Sequence, residues 1–132
     1  MTGSFKGEFE VTSWNETPYA EREGDRKLTR ASVTQQLSGG LTGAGEVQWL
    51  MSYQQDGTAR FVGLQQLEGA IEGRSGSVVV DTVGDFDGKE ARGVWTVVPG
   101  SGTGEWAGMR GDGGFVAPHG SKASFTLDYS LE

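Results

Sequence analysis

Residues Gly93 to Phe115 read GVWTVVPGSGTGEWAGMRGDGGF, and the fold turns on how this stretch is understood. It opens as a strand, because Val94, Trp95, Thr96, Val97 and Val98 are β-branched or aromatic and suit a pleated sheet. Pro99 and Gly100 end that strand. Gly102, Gly104, Gly108, Gly111, Gly113 and Gly114 follow, with Trp106 and Met109 as the only large apolar side chains between them. Glycine at this density means positive φ or backbones closer than a Cβ allows. In a strand-rich chain it marks a corner where a sheet is bent and closed.

The flanking sequence supplies the sheet. Ser4 to Trp14 alternates, with Phe5, Gly7, Phe9 and Val11 on one face and charged or polar residues on the other. Asn15 to Arg26 reads as a charged loop with at most one helical turn. Lys27 to Ser38 turns Ala31, Val33 and Leu37 to one side, and Leu41 to Tyr53 does the same with Val47, Trp49, Met51 and Tyr53. Asp56-Gly57 and Asp87-Gly88 are hairpin turns, since Asp-Gly supplies the positive φ such turns require. Thr58 to Glu72 faces Phe61, Gly63, Gln65, Leu67 and Ile71 one way, and Arg60, Val62, Gln66 and Glu68 the other. Gly76 to Phe86, Lys89 to Pro99, a short segment near Gly113 to Val116, and Ser121 to Tyr129 complete the pattern. No window has helical periodicity. The expected fold is all-β: a single-domain antiparallel β-barrel of about eight strands over residues 1–132, closed so that no edge is left open. Leu131 and Glu132 are given no structural weight and could be a cloning remnant.

Composition narrows the function. The 132 residues include 23 glycines, three prolines and no cysteine. Disulfides, thiolate catalysis and cysteine-bound metal are therefore excluded. Eleven basic and eighteen acidic residues give a net charge of −7, which disfavours a nucleic-acid groove or an anionic membrane surface. No apolar run approaches a membrane span and the N-terminus lacks a signal-like core, so a cytoplasmic protein is expected. A single histidine without cysteine argues against zinc, and neither a metal nor an organic cofactor is expected. Gly102 to Ala107 matches a dinucleotide-binding pattern, but the glycines after it preclude the helix whose N-terminus would hold the phosphate. Arg110-Gly111-Asp112 reads as a turn.

The inward faces gather Phe5, Phe9, Trp49, Met51, Tyr53, Phe61, Trp95, Phe125 and Tyr129, with Gln65 almost their only polar companion. A barrel of eight strands is wide enough to be filled by side chains or to hold one small ligand, and the sequence leaves both readings open. If there is a ligand site, Trp49, Tyr53, Phe61, Gln65, Trp95 and Tyr129 are its candidate residues, an aromatic surface with few polar groups. Candidate catalytic groups are His119, the only histidine, in a turn before the last strand, and Glu105, set among glycines beside Trp106. The simpler readings are an exposed loop histidine and a solvated carboxylate.

Four stretches carry a family likeness: SWNETPYAEREGDRKLTRASV (Ser13 to Val33), DGTARFVGLQQLEGAIEGRSGSVVV (Asp56 to Val80), SGTGEWAGMRGDGGF (Ser101 to Phe115) and HGSKASFTLDY (His119 to Tyr129). They resemble, in order and over nearly the whole chain, an uncharacterised bacterial family catalogued as domain of unknown function 3224. Gly102 to Gly108, GTGEWAG, is similar to a glycine element of the allene oxide cyclase and dirigent barrels. The resemblance implies a small antiparallel barrel and brings no activity with it. Three functional classes follow: a barrel binding a hydrophobic small molecule in its lumen, a cofactor-independent isomerase or cyclase using that lumen, and a structural or interaction protein with a filled core. A homodimer is compatible with all three, although the alternation reveals no clear exposed apolar stripe.

Overall fold

Alternating side chains and short Asp-Gly or Gly-rich turns produce the expected sheet. The computed structural model describes residues 2–21, 24, 26–118 and 122–131. Its strands are β1 (Thr2–Glu21), β2 (Lys27–Gly39), β3 (Thr42–Tyr53), β4 (Ala59–Ile71), β5 (Arg74–Phe86), β6 (Glu90–Val97), β7 (Thr103–Gly104), β8 (Arg110–Pro118) and β9 (Ala123–Ser130). Eight of them pair antiparallel with their neighbours around a ring, β4 with β5 on one side and β9 back to β1 on the other. The result is a closed eight-stranded meander. β7 is an extra two-residue strand against the start of β5.

Three sequence expectations change. Asn15 to Glu21 is strand, not loop: β1 continues and pairs with β2 as far as Glu21 opposite Lys27. Bulges between Val11 and Ser13 and between Pro18 and Ala20 let so long a strand bend. Arg110-Gly111-Asp112 begins β8 and pairs with Ser130 to Asp128, so it is no turn. Leu131 packs against the core.

The barrel has two unlike ends. At one, Leu37, Leu41, Leu67, Val78, Trp106, Met109 and Leu127 are fully buried. Trp106 plugs this end from the glycine segment. Its indole lies against Gly76, and its Nε1 donates to the Arg74 carbonyl at 2.9 Å. Gly104 and Gly108 turn the chain around it with φ of 60° and 81°, the left-handed region open to glycine. At the other end β9 pairs with β1 only from Thr2 to Phe9. Among the described residues no strand pairs with the outer edge of β1 beyond Phe9, so the wall is split there.

Between the ends, aromatic rings reach over glycines directly opposite on the neighbouring strand. The pairs are Trp49 on Gly63, Phe61 on Gly84, Phe115 on Gly93, Phe125 on Gly7 and Tyr129 on Gly3. A Cβ at Gly63 would stand 2.7 Å from Trp49, one at Gly7 2.5 Å from Phe125, and one at Gly3 2.8 Å from Tyr129. The ring covers the backbone that glycine exposes. Much of the glycine content thus serves inside strands.

Candidate functional site

The open end holds a cavity of about 690 Å³. Trp49, Phe61 and Phe115 form its innermost wall. Phe115 sits at the centre of a ring cluster, with centroids 5.6 Å from Phe9, 6.2 Å from Trp49 and Phe61, and 6.0 Å from Trp95. Met51, Tyr53, Phe86, Ala91, Ala117 and Ala123 complete the sides, and Glu10, Val11, Trp14, Pro118 and Lys122 surround the mouth. The small residues matter here, because alanine opposite alanine (Ala91 with Ala117) leaves room that larger pairs would fill.

One polar side chain reaches the inner wall. Gln35, buried on β2, lines the cavity, and its amide oxygen accepts a hydrogen bond from Gln65 Nε2. With its oxygen engaged, Gln35 has its amide N–H groups to offer. Behind the ring wall, Gln65 Oε1, Thr82 Oγ1 and Trp95 Nε1 have no partner among the described protein atoms, and Thr82 stands directly opposite Trp95. Buried polar groups of this kind are normally satisfied, so this part of the lumen is polar in a way its apolar surroundings conceal.

At the mouth, the second half of β1 is clasped to β2 and β3 by a carboxylate. Glu16 accepts from Thr29 Oγ1 at 2.6 Å, Tyr53 OH at 2.7 Å and Trp14 Nε1 at 3.0 Å. Partial burial acts to raise the Glu16 pKa. The three hydrogen bonds and the nearby Lys27 charge outweigh it and hold Glu16 below the ordinary carboxylate value of 4.5. Burial, and then the bond and charge of Glu16, push the Tyr53 hydroxyl upward. Lys27 Nζ lies 5.1 Å from the Tyr53 ring centroid.

A carboxylate with a lowered folded-state pKa stabilises the fold above its unfolded value and loses that contribution as pH falls through the folded value. Wild-type protein should therefore lose stability below about pH 4.5 more steeply than Glu16→Gln. Thermal melts from pH 7 to about pH 3 measure this, and parallel curves for the two proteins would remove the clasp.

The six proposed lumen residues divide. Trp49, Tyr53 and Phe61 line the cavity, whereas Gln65 and Trp95 lie behind its inner wall and Tyr129 packs against Phe5 toward the closed end. Glu105 belongs to the closed end, where its carboxylate accepts from the Ser75 amide at 3.2 Å, far from the cavity mouth. His119 lies outside the described residues. No cluster of three potential metal ligands occurs among those that are described. Sequence reading passed over Gln35, Trp14 and Glu16. Gln35 was within reach, sharing a face with Val33 and Leu37. Trp14 and Glu16 were not, since the bulge after Val11 reverses the alternation.

The family model described as a protein of unknown function (DUF3224) matches residues 5–129. A solved structure of a DUF3224-family protein of unknown function from Shewanella oneidensis MR-1 is similar, with a TM-score of 0.80 and 25% identity, covering 100% of this chain and 99% of that one. No curated protein matches.

Proposed function

Because the chain belongs to the DUF3224 family, described only as proteins of unknown function, we propose its role from the cavity: it binds one uncharged, largely apolar small molecule. The observation that carries this is the space of about 690 Å³ between Trp49, Phe61 and Phe115 and the split in the wall, within the usual range for ligand pockets. The aromatic lining suits a flat or flexible hydrocarbon body. Gln35 supplies a donor at the inner end, so the ligand carries an acceptor such as a carbonyl, ether or hydroxyl there. Glu10 and Lys122, one of each sign at the mouth, give no preference for a charged head.

The similarity of the glycine segment to the allene oxide cyclase barrel raises the second reading, a cyclase. Among the described residues, the titratable side chains on the cavity are Glu10, Tyr53 and Lys122. Glu10 and Lys122 sit at the rim, and the Tyr53 hydroxyl is committed to Glu16. Binding is therefore the better supported reading.

The test is titration with the uncharged fluorophore N-phenyl-1-naphthylamine. Saturable one-to-one binding is expected, and Ala117→Phe should weaken it at least about tenfold, equivalent to about 1.4 kcal/mol, with the melting temperature preserved. Absence of saturable binding, or equal affinity in a folded Ala117→Phe variant, would overturn the proposal.

A further inference from the structure

Gln35, Gln65, Thr82 and the Trp95 indole bring buried polar groups into the middle of the barrel, and register sets them in one row. Gln35 on β2 is opposite Gly45 on β3, and Gln65 on β4 is opposite Val47, the next inward residue of β3. The two amides meet across β3 because Gly45 has no side chain between them. A Cβ there would stand 2.8 Å from Gln35 Oε1 and 3.5 Å from Gln65 Nε2. On its other side Gln65 is opposite Val80 on β5. Thr82 is the next inward residue of β5 and is opposite Trp95 on β6. Diagonal neighbours on adjoining strands are within reach of long side chains.

The polar groups in this row have different hydrogen-bonding roles. An indole N–H can only donate, a hydroxyl does either, and an amide oxygen only accepts. Trp95 Nε1, Thr82 Oγ1 and Gln65 Oε1 have no partner among the described protein atoms. Resting on the reading of the cavity as a ligand site, we infer that one buried water joins these three, and that Trp95 and Gln65 thereby set the polarity of that site. The water accepts from Trp95 Nε1, donates to Gln65 Oε1 and has Thr82 Oγ1 as its third partner, the usual number for a buried water. With Oε1 held inward, Gln65 turns Nε2 toward Gln35 and donates to Gln35 Oε1. Gln35 is left with N–H groups for the cavity it lines. Turning both amides over would set the Gln65 N–H groups against the Trp95 N–H, donors facing a donor. The indole is packed 5.4 Å from Phe125 and 6.0 Å from Phe115, centroid to centroid, which holds its N–H in place. The ligand group met by Gln35 is then a carbonyl or ether oxygen. A hydroxyl would bring a hydrogen for which the side chains of the inner ring wall hold no acceptor, and an unmet buried donor weakens binding. Gln65 and Trp95 act through Gln35, as positioning residues.

Three probes of nearly one shape separate polarity from fit: phenyl 1-naphthyl ketone, N-phenyl-1-naphthylamine and 1-benzylnaphthalene, bridged by C=O, N–H and CH2. Wild-type protein should bind the ketone about tenfold more tightly than the amine. Gln65→Met and Trp95→Phe keep most of the packing and free Gln35 to turn either end to the cavity. Each should bring ketone and amine within about twofold of one another, both tighter than the hydrocarbon, whose affinity reads cavity shape alone. Without ligand, the Trp95 indole proton should show a rotating-frame Overhauser signal at the water frequency. That signal should survive in Thr82→Val, where no threonine hydroxyl can relay it. Equal binding of ketone and amine by wild type, a ketone preference that persists in both folded variants, or no water signal in Thr82→Val would overturn the inference and leave the cavity reading in place. Failure of all three probes to bind would overturn the cavity reading, and this inference with it.

Discussion

Trp106→Ala should lower unfolding stability by about 3–5 kcal/mol, the range for deleting a large buried aromatic side chain. For a domain of this size that is a fall in melting temperature of roughly 10–20 °C. Trp106 is 1% exposed, and it is the largest group contributed to the core by a segment otherwise made of turns. Its loss would leave a cavity at the closed end, expose Gly76 beneath it, and leave the Arg74 carbonyl without its indole donor. Trp106→Phe separates these effects, since it keeps most of the packing and loses the hydrogen bond, typically worth about 1 kcal/mol. Calorimetry of both variants is the check. A melting temperature within about 3 °C of wild type for Trp106→Ala would show that Trp106 does not plug the closed end.

The second large effect is expected from a residue with no side chain. Gly93→Val places atoms where the Phe115 ring now lies: a Cβ alone would be 2.8 Å from Phe115 Cζ and 2.9 Å from Thr82 Cγ2. The neighbouring strand cannot withdraw, because β6 and β8 are paired on both sides of this position, from Glu90 opposite Pro118 to Thr96 opposite Asp112. The ring must swing into the lumen. Overpacking of this kind costs about 1–3 kcal/mol, and here it should also abolish binding of N-phenyl-1-naphthylamine by occupying the cavity. The diagnostic result is in the double variant. In a Phe115→Ala background Gly93→Val should cost little, as expected for two residues coupled by direct contact. Additive losses would mean that Gly93 matters for a reason other than the ring.

The sequence made the barrel legible because alternation over ten or more residues, punctuated by Asp-Gly turns, admits few other architectures. Face assignments at Val33, Trp49, Phe61, Leu67 and Trp95 survive into the buried core. The second half of β1 was hidden because bulges break period two, and Asn15 to Glu21 is polar enough to pass for a loop. Glu16 was lost with it. The glycines from Gly102 onward were read as turns and corners, which holds for Gly104 and Gly108 and fails for Gly111, a paired residue of β8. Gly63, Gly84 and Gly93 were read inside strands, but the rings that cover them are set by register, and register cannot be read from a single strand. The choice between filled core and cavity turned on the same point. Rings turned into the lumen would fill it, and rings reaching over opposing glycines leave one end open.

The seam between β1 and β9 joins segments nearly the full length of the chain apart, with Thr2 opposite Ser130. The ring is therefore closed only once β9 has followed the seven other strands of the ring. Until then the growing chain is an open, curved sheet with β1 and β8 unpaired at its sides, and closing so long a loop is the slow, entropically opposed step. A chain stopped before Ala123 would have no smaller ring to fall back on. It would keep two free edges able to pair with other chains. The same geometry places Thr2 and Ser130 side by side. A circularly permuted chain, joined there and opened at the Gly57 or Gly88 hairpin, would have the same strand neighbours in a different order of synthesis.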